Sequence, residues 1–498
     1  MKTSFHIGQT EVDMSAVALI SEDFAKDQML LAVGFEGQQL VILTDDPLNY
    51  FALEEVRQIT GRELLVRVTD SRSLRDAIAY CYAEVRARQA TQAVNRNVTA
   101  AADPLEESEN GDQEAPIIKL MGSLIDRAIS TRASDIHIEP YETHTSVRMR
   151  IDGVIVDYVT LQRSIHPSLI ARIKIMANLD IAERRLPQDG HFRVRVGGEE
   201  HINLRVSILP TVFGEKAVLR LLASSSQVED HPEQFGMEEE TYRRFLPLLS
   251  APNGIIYLTG PTGSGKSTTL YMILESLSRR NVNISTIEDP VEKNVPRVNQ
   301  TQVNPVAGLT FETGLRALLR QDPDIIMVGE TRDRETAGIS VRAAITGHMV
   351  LSTLHTNNAA SAIVRLADMG VEPYLIANAL TGLVAQRLVR KVCPYCGREE
   401  AVTMEERSFL GESVRSVRRG SGCPHCSGTG YRGRIAIHEV IAIDRPLRRM
   451  ISRGAETEEI EDYARREQGM KTLREQALEL VRRGVTTPEE FLRIASYE

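Results

Sequence analysis

A chain of 498 residues is too long for one ordinary domain and, at roughly 150 residues each, suggests about three. With 42% hydrophobic and 26% charged residues it is a globular chain, which excludes collagen-like, mucin-like and wholly disordered classes. The formal charge of −9 argues against a sequence-independent nucleic-acid coat, because such proteins carry a net basic face.

Residues 1–95 read as a small α/β adaptor or docking unit. A strand is expected over Gln39–Leu43, with helices over Leu48–Gln58 and Ser73–Arg88. Its lone Cys81 reads as a small buried hydrophobe rather than a reactive thiol. From Thr91 to Ala115 the chain is polar, and Asp103–Glu114 carries six acidic residues and no basic one, so 96–115 reads as a solvated acidic linker. Between 116 and 224 a helix (Ile117–Ser130) leads into strand-like segments around Ile136, Val147, Val154, Phe192, Ile202 and Val218, interrupted by a helix over His166–Asn178. That pattern is an α+β sheet domain. Residues 225–237 form a second polar connector. From 238 to 392 apolar runs at Ile255–Leu258, Val282–Ile287, Asp324–Val328 and Met349–Ser352 alternate with helices, the signature of a parallel sheet covered on both faces. Residues 435–498 are charged and helix-patterned. No run reaches the ~18 apolar residues of a membrane-spanning helix, and the N-terminus opens no signal-peptide core. The expected compartment is the cytoplasm, with any membrane role peripheral.

The segment Gly260-Pro261-Thr262-Gly263-Ser264-Gly265-Lys266-Ser267-Thr268 fits G-x-x-x-x-G-K-[ST], between a buried strand and a helical run. Its glycines let backbone N–H groups turn toward phosphate oxygens at a helix N-terminus. Lys266 supplies a point charge for the β/γ-phosphates, and the Ser267 hydroxyl is the expected Mg²⁺ ligand, so this is an NTP site. Glu330 ends the apolar strand Asp324–Val328 at the edge where ligands bind in open α/β sheets, placed to hold Mg²⁺ or to orient the attacking water. Glu288, Asp289 and Glu292 end an earlier strand of the same sheet. His348 and His355 bracket Met349–Thr353; they read either as γ-phosphate sensors or as structural histidines.

Cys393-Pro-Tyr-Cys396 and Cys423-Pro-His-Cys426 are separated by 26 residues, two knuckles that together complete a tetrahedral thiolate shell. Zn²⁺ suits it, in a structural role, since a closed shell leaves no place for catalytic water. An Fe–S cluster, redox thiols or His425 as ligand are the alternatives. Arg390, Lys391, Arg398, Arg418 and Arg419 stand nearby to offset the charge.

The motifs GPTGSGKST, TIEDPVE, LRQDPDIIMVGE and TGHMVLSTLHTN, with the tetracysteine pair, resemble the secretion ATPases of type II secretion and type IV pilus assembly. Upstream, ASDIHIEP (133–140), RMRIDG (148–153), RRLPQDG (184–190) and LRVSILPTVFGEKAVLRLL (204–222) look like that family's second N-terminal domain. The likeness runs in order from about 115 to 480. It implies a homohexamer with a PAS-like α+β domain (116–224), a RecA-like P-loop ATPase domain (238–392), a zinc module (393–434) and a helical C-terminus (435–498). It implies ATP between the two main domains, with Glu292 polarising the attacking water and His348 and His355 forming the histidine box. Arg205, Arg220, Arg316 and Arg320 would contact the triphosphate. It also implies inner-membrane platform and recruiter proteins as partners and a position on the cytoplasmic face of that membrane; the acidic pI, the absent Trp and the lack of an aromatic-rich basic stripe count against nucleic acid as a partner. Retraction ATPases of the pilus system lack the tetracysteine module, so the likeness points to fibre assembly. The family's GEIRD reads GETRD here, with Thr331, and RRLPQDGR ends in His191. The competing class is a DNA-uptake or conjugation translocase.

Overall fold

The computed structural model of the chain describes residues 12–71, 73–75, 77–82, 84–86, 89, 111–196, 200–222, 235–412 and 414–496. Packing divides the chain into two units. One comprises residues 1–223 with 392–398 and 419–432; the other comprises 224–391, 399–418 and 433–498.

In the first unit, strands β1 (Leu30–Glu36), β2 (Gln39–Thr44) and β3 (Leu64–Val68) form a three-stranded sheet, β1 antiparallel and β3 parallel to β2. The β2–β3 crossover carries a helix, Tyr50–Thr60, started by the Asn49 side chain and stopped by left-handed Gly61. The described residues of 73–86 are helical and bury Leu74, Ala77, Ile78, Cys81 and Val85, the stripe a 3.6-residue period requires. Burial pushes the Cys81 thiol up to about 12, so it stays uncharged within that stripe. Of the expected acidic linker, 96–110 lie outside the described residues; 111–115 open the helix Gly111–Ser130.

The second sheet of this unit holds β4 (Ala133–Pro140), β5 (His144–Ile151), β6 (Val154–Gln162), β7 (Gln188–Val196), β8 (Glu200–Thr211) and β9 (Gly214–Leu222), in the order β6-β5-β4-β9-β8-β7, antiparallel throughout. Alternation sends Ile136, Ile138, Val147, Met149, Leu204, Val206 and Leu219 into a core shared with Leu120, Leu124, Leu169 and Ile173 of the helices Gly111–Ser130 and His166–Met176. The opposite face carries the polar residues Asp135, His137 and Glu139 of β4, of which Asp135 and Glu139 are buried.

In the second unit, β10 (Gly254–Thr259), β11 (Ile284–Glu288), β12 (Val298–Gln302), β13 (Ile325–Val328), β14 (Met349–Leu354) and β15 (Leu380–Val392) form one sheet. A ribbon of β16 (Gly397–Ala401) and β17 (Ser416–Gly420) follows, and β18 (Tyr431–Ala442) completes the sheet in the order β12-β11-β13-β14-β10-β15-β18. From β12 to β15 every neighbouring pair is parallel. The central strands are buried end to end, as two-sided coverage demands: β10, β11, β13 and β14 carry no exposed residue.

Two expected boundaries move. The connector 225–237 is described only from Phe235, and there it is core: Phe235 packs edge-on to Phe245 at 5.9 Å, and Met237 is fully buried. The C-terminal region becomes helical only at Arg445, because its first residues belong to β18. Its helices bury Leu447, Ile460, Leu480 and Phe491 in the same core as Ile326, Val350 and Leu383 of the sheet.

Candidate active site and metal centre

The phosphate loop leaves β10 at its C-terminal end. Gly260 and Gly265 have φ of 145° and 89°, and a Cβ would meet the Gln386 carbonyl at 2.5 Å from Gly260 and the Gln386 amide nitrogen at 2.8 Å from Gly265. Both conformation and space therefore require glycine there. The helix Lys266–Leu277 then starts on left-handed Gly265 with no side-chain cap, which leaves its first N–H groups for a ligand. Ser267 is exposed on that first turn, and the buried Ser264 hydroxyl has no hydrogen-bond partner among the described residues.

Lys266 is folded back on its own loop, donating to the carbonyls of Gly260 (2.6 Å) and Pro261 (3.0 Å). Burial, with the Arg387 guanidinium, pushes its ammonium down to about 8 against the pull of Glu330. An ammonium in this setting loses its proton above about pH 8, whereas phosphates at the loop would hold the proton on. Nucleotide affinity is expected to be level below pH 8 and to fall about tenfold per pH unit above it, with uptake of one proton per ADP bound. Calorimetric titration with ADP at pH 9, in buffers of different ionisation enthalpy, measures that proton; an affinity unchanged between pH 7 and 9.5 would refute the assignment.

Glu330 follows β13. In the sheet, β14 stands between β13 and β10, so the carboxylate and the phosphate loop are two strand spacings apart, about 9.6 Å. Directly after the intervening strand stands His355, whose Nε2 lies 3.6 Å from Glu330 Oε2, and Arg332 pairs with the other oxygen at 2.6 Å. Burial and then Lys266 lower the His355 pKa, against the raising effect of Glu330. Thr331 is buried, its N–H on the Thr353 carbonyl at 3.0 Å and its hydroxyl 2.9 Å from that of Ser352. The departure from isoleucine at this position thus adds a hydrogen bond that ties β13 to β14.

His348 is not part of this cluster. It precedes β14, beside Gly254 at the start of β10, with its ring nitrogen 3.0 Å from the Ala343 carbonyl. A six-residue strand separates it from His355, about 20 Å. The strand that joins them holds them at its opposite ends, and of the two it is His355 that stands at the end where the phosphate loop and Glu330 lie.

After β11 the acidic loop is held by a buried network. Glu288 accepts hydrogen bonds from the Tyr271 and Thr286 hydroxyls and from Gln300 Nε2 (3.0 Å). Asp289 and Glu292 are exposed. Arg316 and Arg320 lie on and just beyond the helix Phe311–Leu318, which packs closely enough on β11 that Gly314 admits no Cβ against Ile287. Arg316 pairs with Glu312 at 3.0 Å and Arg320 donates to the Arg316 carbonyl at 2.7 Å; both side chains are exposed.

Arg205 and Arg220 lie in the other unit, opposite each other in the β8–β9 register on the face of the six-stranded sheet away from its core. Asp135 stands opposite Arg220 on β4, and Arg150 opposite Asp135 on β5. The result is a transverse row Arg205–Arg220–Asp135–Arg150. Asp135 binds Arg220 Nε at 2.9 Å and lies 3.7 Å from Arg150 Nε. His191 faces Arg205 from β7, so this second departure from the family pattern sits beside a candidate arginine.

The four cysteine sulfurs lie within 4.8 Å of one another, all buried. The separations are 3.8 Å (Cys393–Cys423), 3.8 Å (Cys396–Cys426) and 3.7 Å (Cys423–Cys426). A tetrahedron with Zn–S bonds of about 2.3 Å has edges of about 3.8 Å, so the donor set fits zinc in size as well as chemistry. His425 lies outside the set and stacks on Tyr395 at 4.0 Å. Arg390, expected to offset the thiolate charge, instead pairs with buried Glu490 at 2.8 Å.

A parallel sheet, a phosphate loop at its C-terminal edge and a carboxylate one strand removed define a P-loop ATPase. More specifically, the chain belongs to the type II/IV secretion system protein family, whose model matches residues 110–493, and residues 3–88 match the MshEN domain. It is 44% identical to the type IV pilus assembly ATPase PilB of Thermus thermophilus over 96% of this chain and 54% of that protein. To the type II secretion system protein E of Dickeya dadantii it is 43% identical, over 95% of this chain and 96% of that protein. The solved structure of the pilus retraction motor PilT with bound ADP matches with a TM-score of 0.50 at 25% identity, over 74% of this chain and 95% of that one. No helix among the described residues is long and apolar enough to cross a membrane.

Proposed function

We propose that the chain is a homohexameric motor that hydrolyses ATP to drive the addition of pilin or pseudopilin subunits to a growing fibre. The observation that carries this reading is the joint presence of the phosphate loop, Glu330 with His355, and a zinc-sized tetracysteine in one chain. Lys266 and the N–H groups of its helix bind the phosphates. Ser267 and Glu330 would hold Mg²⁺, which supplies positive charge to the transferring phosphoryl group. Glu292, exposed after the Glu288 anchor, polarises the attacking water, and His355 reports the γ-phosphate to Glu330. Arg205 and Arg220 would meet the triphosphate from a neighbouring copy, as would Arg316 and Arg320 from the sheet domain. The unit ahead of residue 95 docks on a recruiter at the cytoplasmic face of the inner membrane, and a platform protein there receives the motion.

Mixing two inactive variants tests the shared site. Lys266→Ala and Arg220→Ala are each expected to lose most turnover, and co-assembled rings are expected to regain part of it, because some interfaces then combine an intact Lys266 with an intact Arg220. Mixed rings no more active than either parent would sink the shared site. DNA-stimulated turnover falling steeply with salt would favour a nucleic-acid translocase instead.

A further inference from the structure

The helix that begins at Lys266 also grips the acidic loop. Tyr271 lies one turn beyond Ser267 on that helix, largely buried. Its hydroxyl donates to Glu288 and accepts the backbone N–H of Glu292 at 2.9 Å and of Lys293 at 3.4 Å. Burial and the Glu288 carboxylate raise the phenol's pKa, so the hydroxyl stays protonated and can serve all three partners. The loop is held from its other side by Gln300, which donates to Glu288 and to the Lys293 carbonyl (2.9 Å) and accepts the Val295 N–H at 2.7 Å. Lys293 reaches back to Glu275 on the same helix.

We infer that Tyr271 is a positioning residue for hydrolysis: it fixes the backbone of Glu292 to the rigid helix whose first turn binds the phosphates. This rests on the reading of Glu292 as the group that polarises water. The physical reason is leverage. Phosphates and Glu292 are presented by segments far apart in sequence, and one phenol ties the second to the first. A general base contributes about 10²–10⁴-fold only when its geometry is right, and a displacement of about 1 Å can remove roughly 10² of that.

Tyr271→Phe keeps the ring and deletes the hydroxyl. The expected result is a kcat roughly 10–100-fold lower, with ADP affinity within about twofold of wild type, since Lys266 and its loop are untouched. Hydrogen exchange should accelerate at the Glu292 and Lys293 amides, the two donors that lose their acceptor, and not across the helix. A wild-type kcat overturns the inference. So does a joint loss of ADP affinity and kcat with a lowered Tm, the signature of a merely structural role. Glu292→Gln separates the two readings. If it turns over normally, the catalytic role of Glu292 fails, whatever Tyr271→Phe does. If it is slow, Tyr271→Phe on top of it should cost little more, and full additivity would place the effect of Tyr271 elsewhere.

Discussion

Lys266→Ala is expected to reduce ATP hydrolysis by at least about 10³-fold, equivalent to ~4 kcal/mol of transition-state stabilisation. The size of the effect follows from where the charge sits. Phosphoryl transfer spreads negative charge over the γ-phosphate, and a buried ammonium acts on it through a medium of low dielectric. Lys266 donates to the buried Gly260 carbonyl and the part-buried Pro261 carbonyl, so its removal leaves two acceptors unpaired while it relieves a buried ammonium, and the two effects on Tm oppose each other. Glu330→Gln is the informative companion. It keeps the phosphate loop intact and, if the carboxylate serves the metal and water as proposed, should retain ADP binding while losing turnover. Phosphate release and ADP titration on both variants give four numbers, and a Lys266→Ala protein hydrolysing ATP at the wild-type rate removes the basis of the assignment.

Removing the metal should have the next largest effect, on stability rather than chemistry. β15 ends at Val392, directly before Cys393, and β18 begins at Tyr431, shortly after Cys426; the two strands are neighbours in the seven-stranded sheet. The Cys393 N–H on the Gly430 carbonyl at 2.9 Å closes the same junction. A four-thiolate ion here would pin the open ends of two paired strands. Structural zinc binding is worth on the order of 10–16 kcal/mol in small modules; even ~3 kcal/mol of it lost in a domain of 150–250 residues lowers Tm by about 6–12 °C. Cys423→Ser, or extraction with a strong chelator, should release one zinc per chain and open residues 393–434 to proteolysis. Iron and sulfide on elemental analysis, or a variant with unchanged Tm and metal content, would contradict the zinc staple.

The parts of the site that could be read from the chain were those in which neighbours in sequence are also neighbours in space. The loop from Gly260 to Ser267, the strand that ends at Glu330 and the CxxC pairs are of that kind. His348 shows what a local pattern leaves open. Two histidines flank one strand, yet a strand has two ends, and the rule that ligands sit at the carboxyl edge separates His355 from His348. Tyr271 was missed because nothing near it in sequence marks its partners, which come from a loop 17–22 residues on. The one available signal was a hydroxyl-bearing ring on an otherwise apolar stretch of helix. Arg390 likewise met Glu490, 100 residues away, rather than the cysteines beside it. Phe235 and Met237 lay at the end of a polar run whose composition concealed two core residues.

The face of the six-stranded sheet opposite its core carries Arg205, Arg220 and Arg150 in one row, with Arg148, Arg193 and Lys216 in other rows, and these six basic groups outnumber Asp135, Glu139, Asp157 and Asp189. The excess of guanidinium groups disfavours pairing of this face with its own copy across a twofold axis and favours contact with an unlike, acidic face or an anionic ligand. Repeated contact between unlike faces has a direction, and when its rotation closes it gives a ring in place of a dimer.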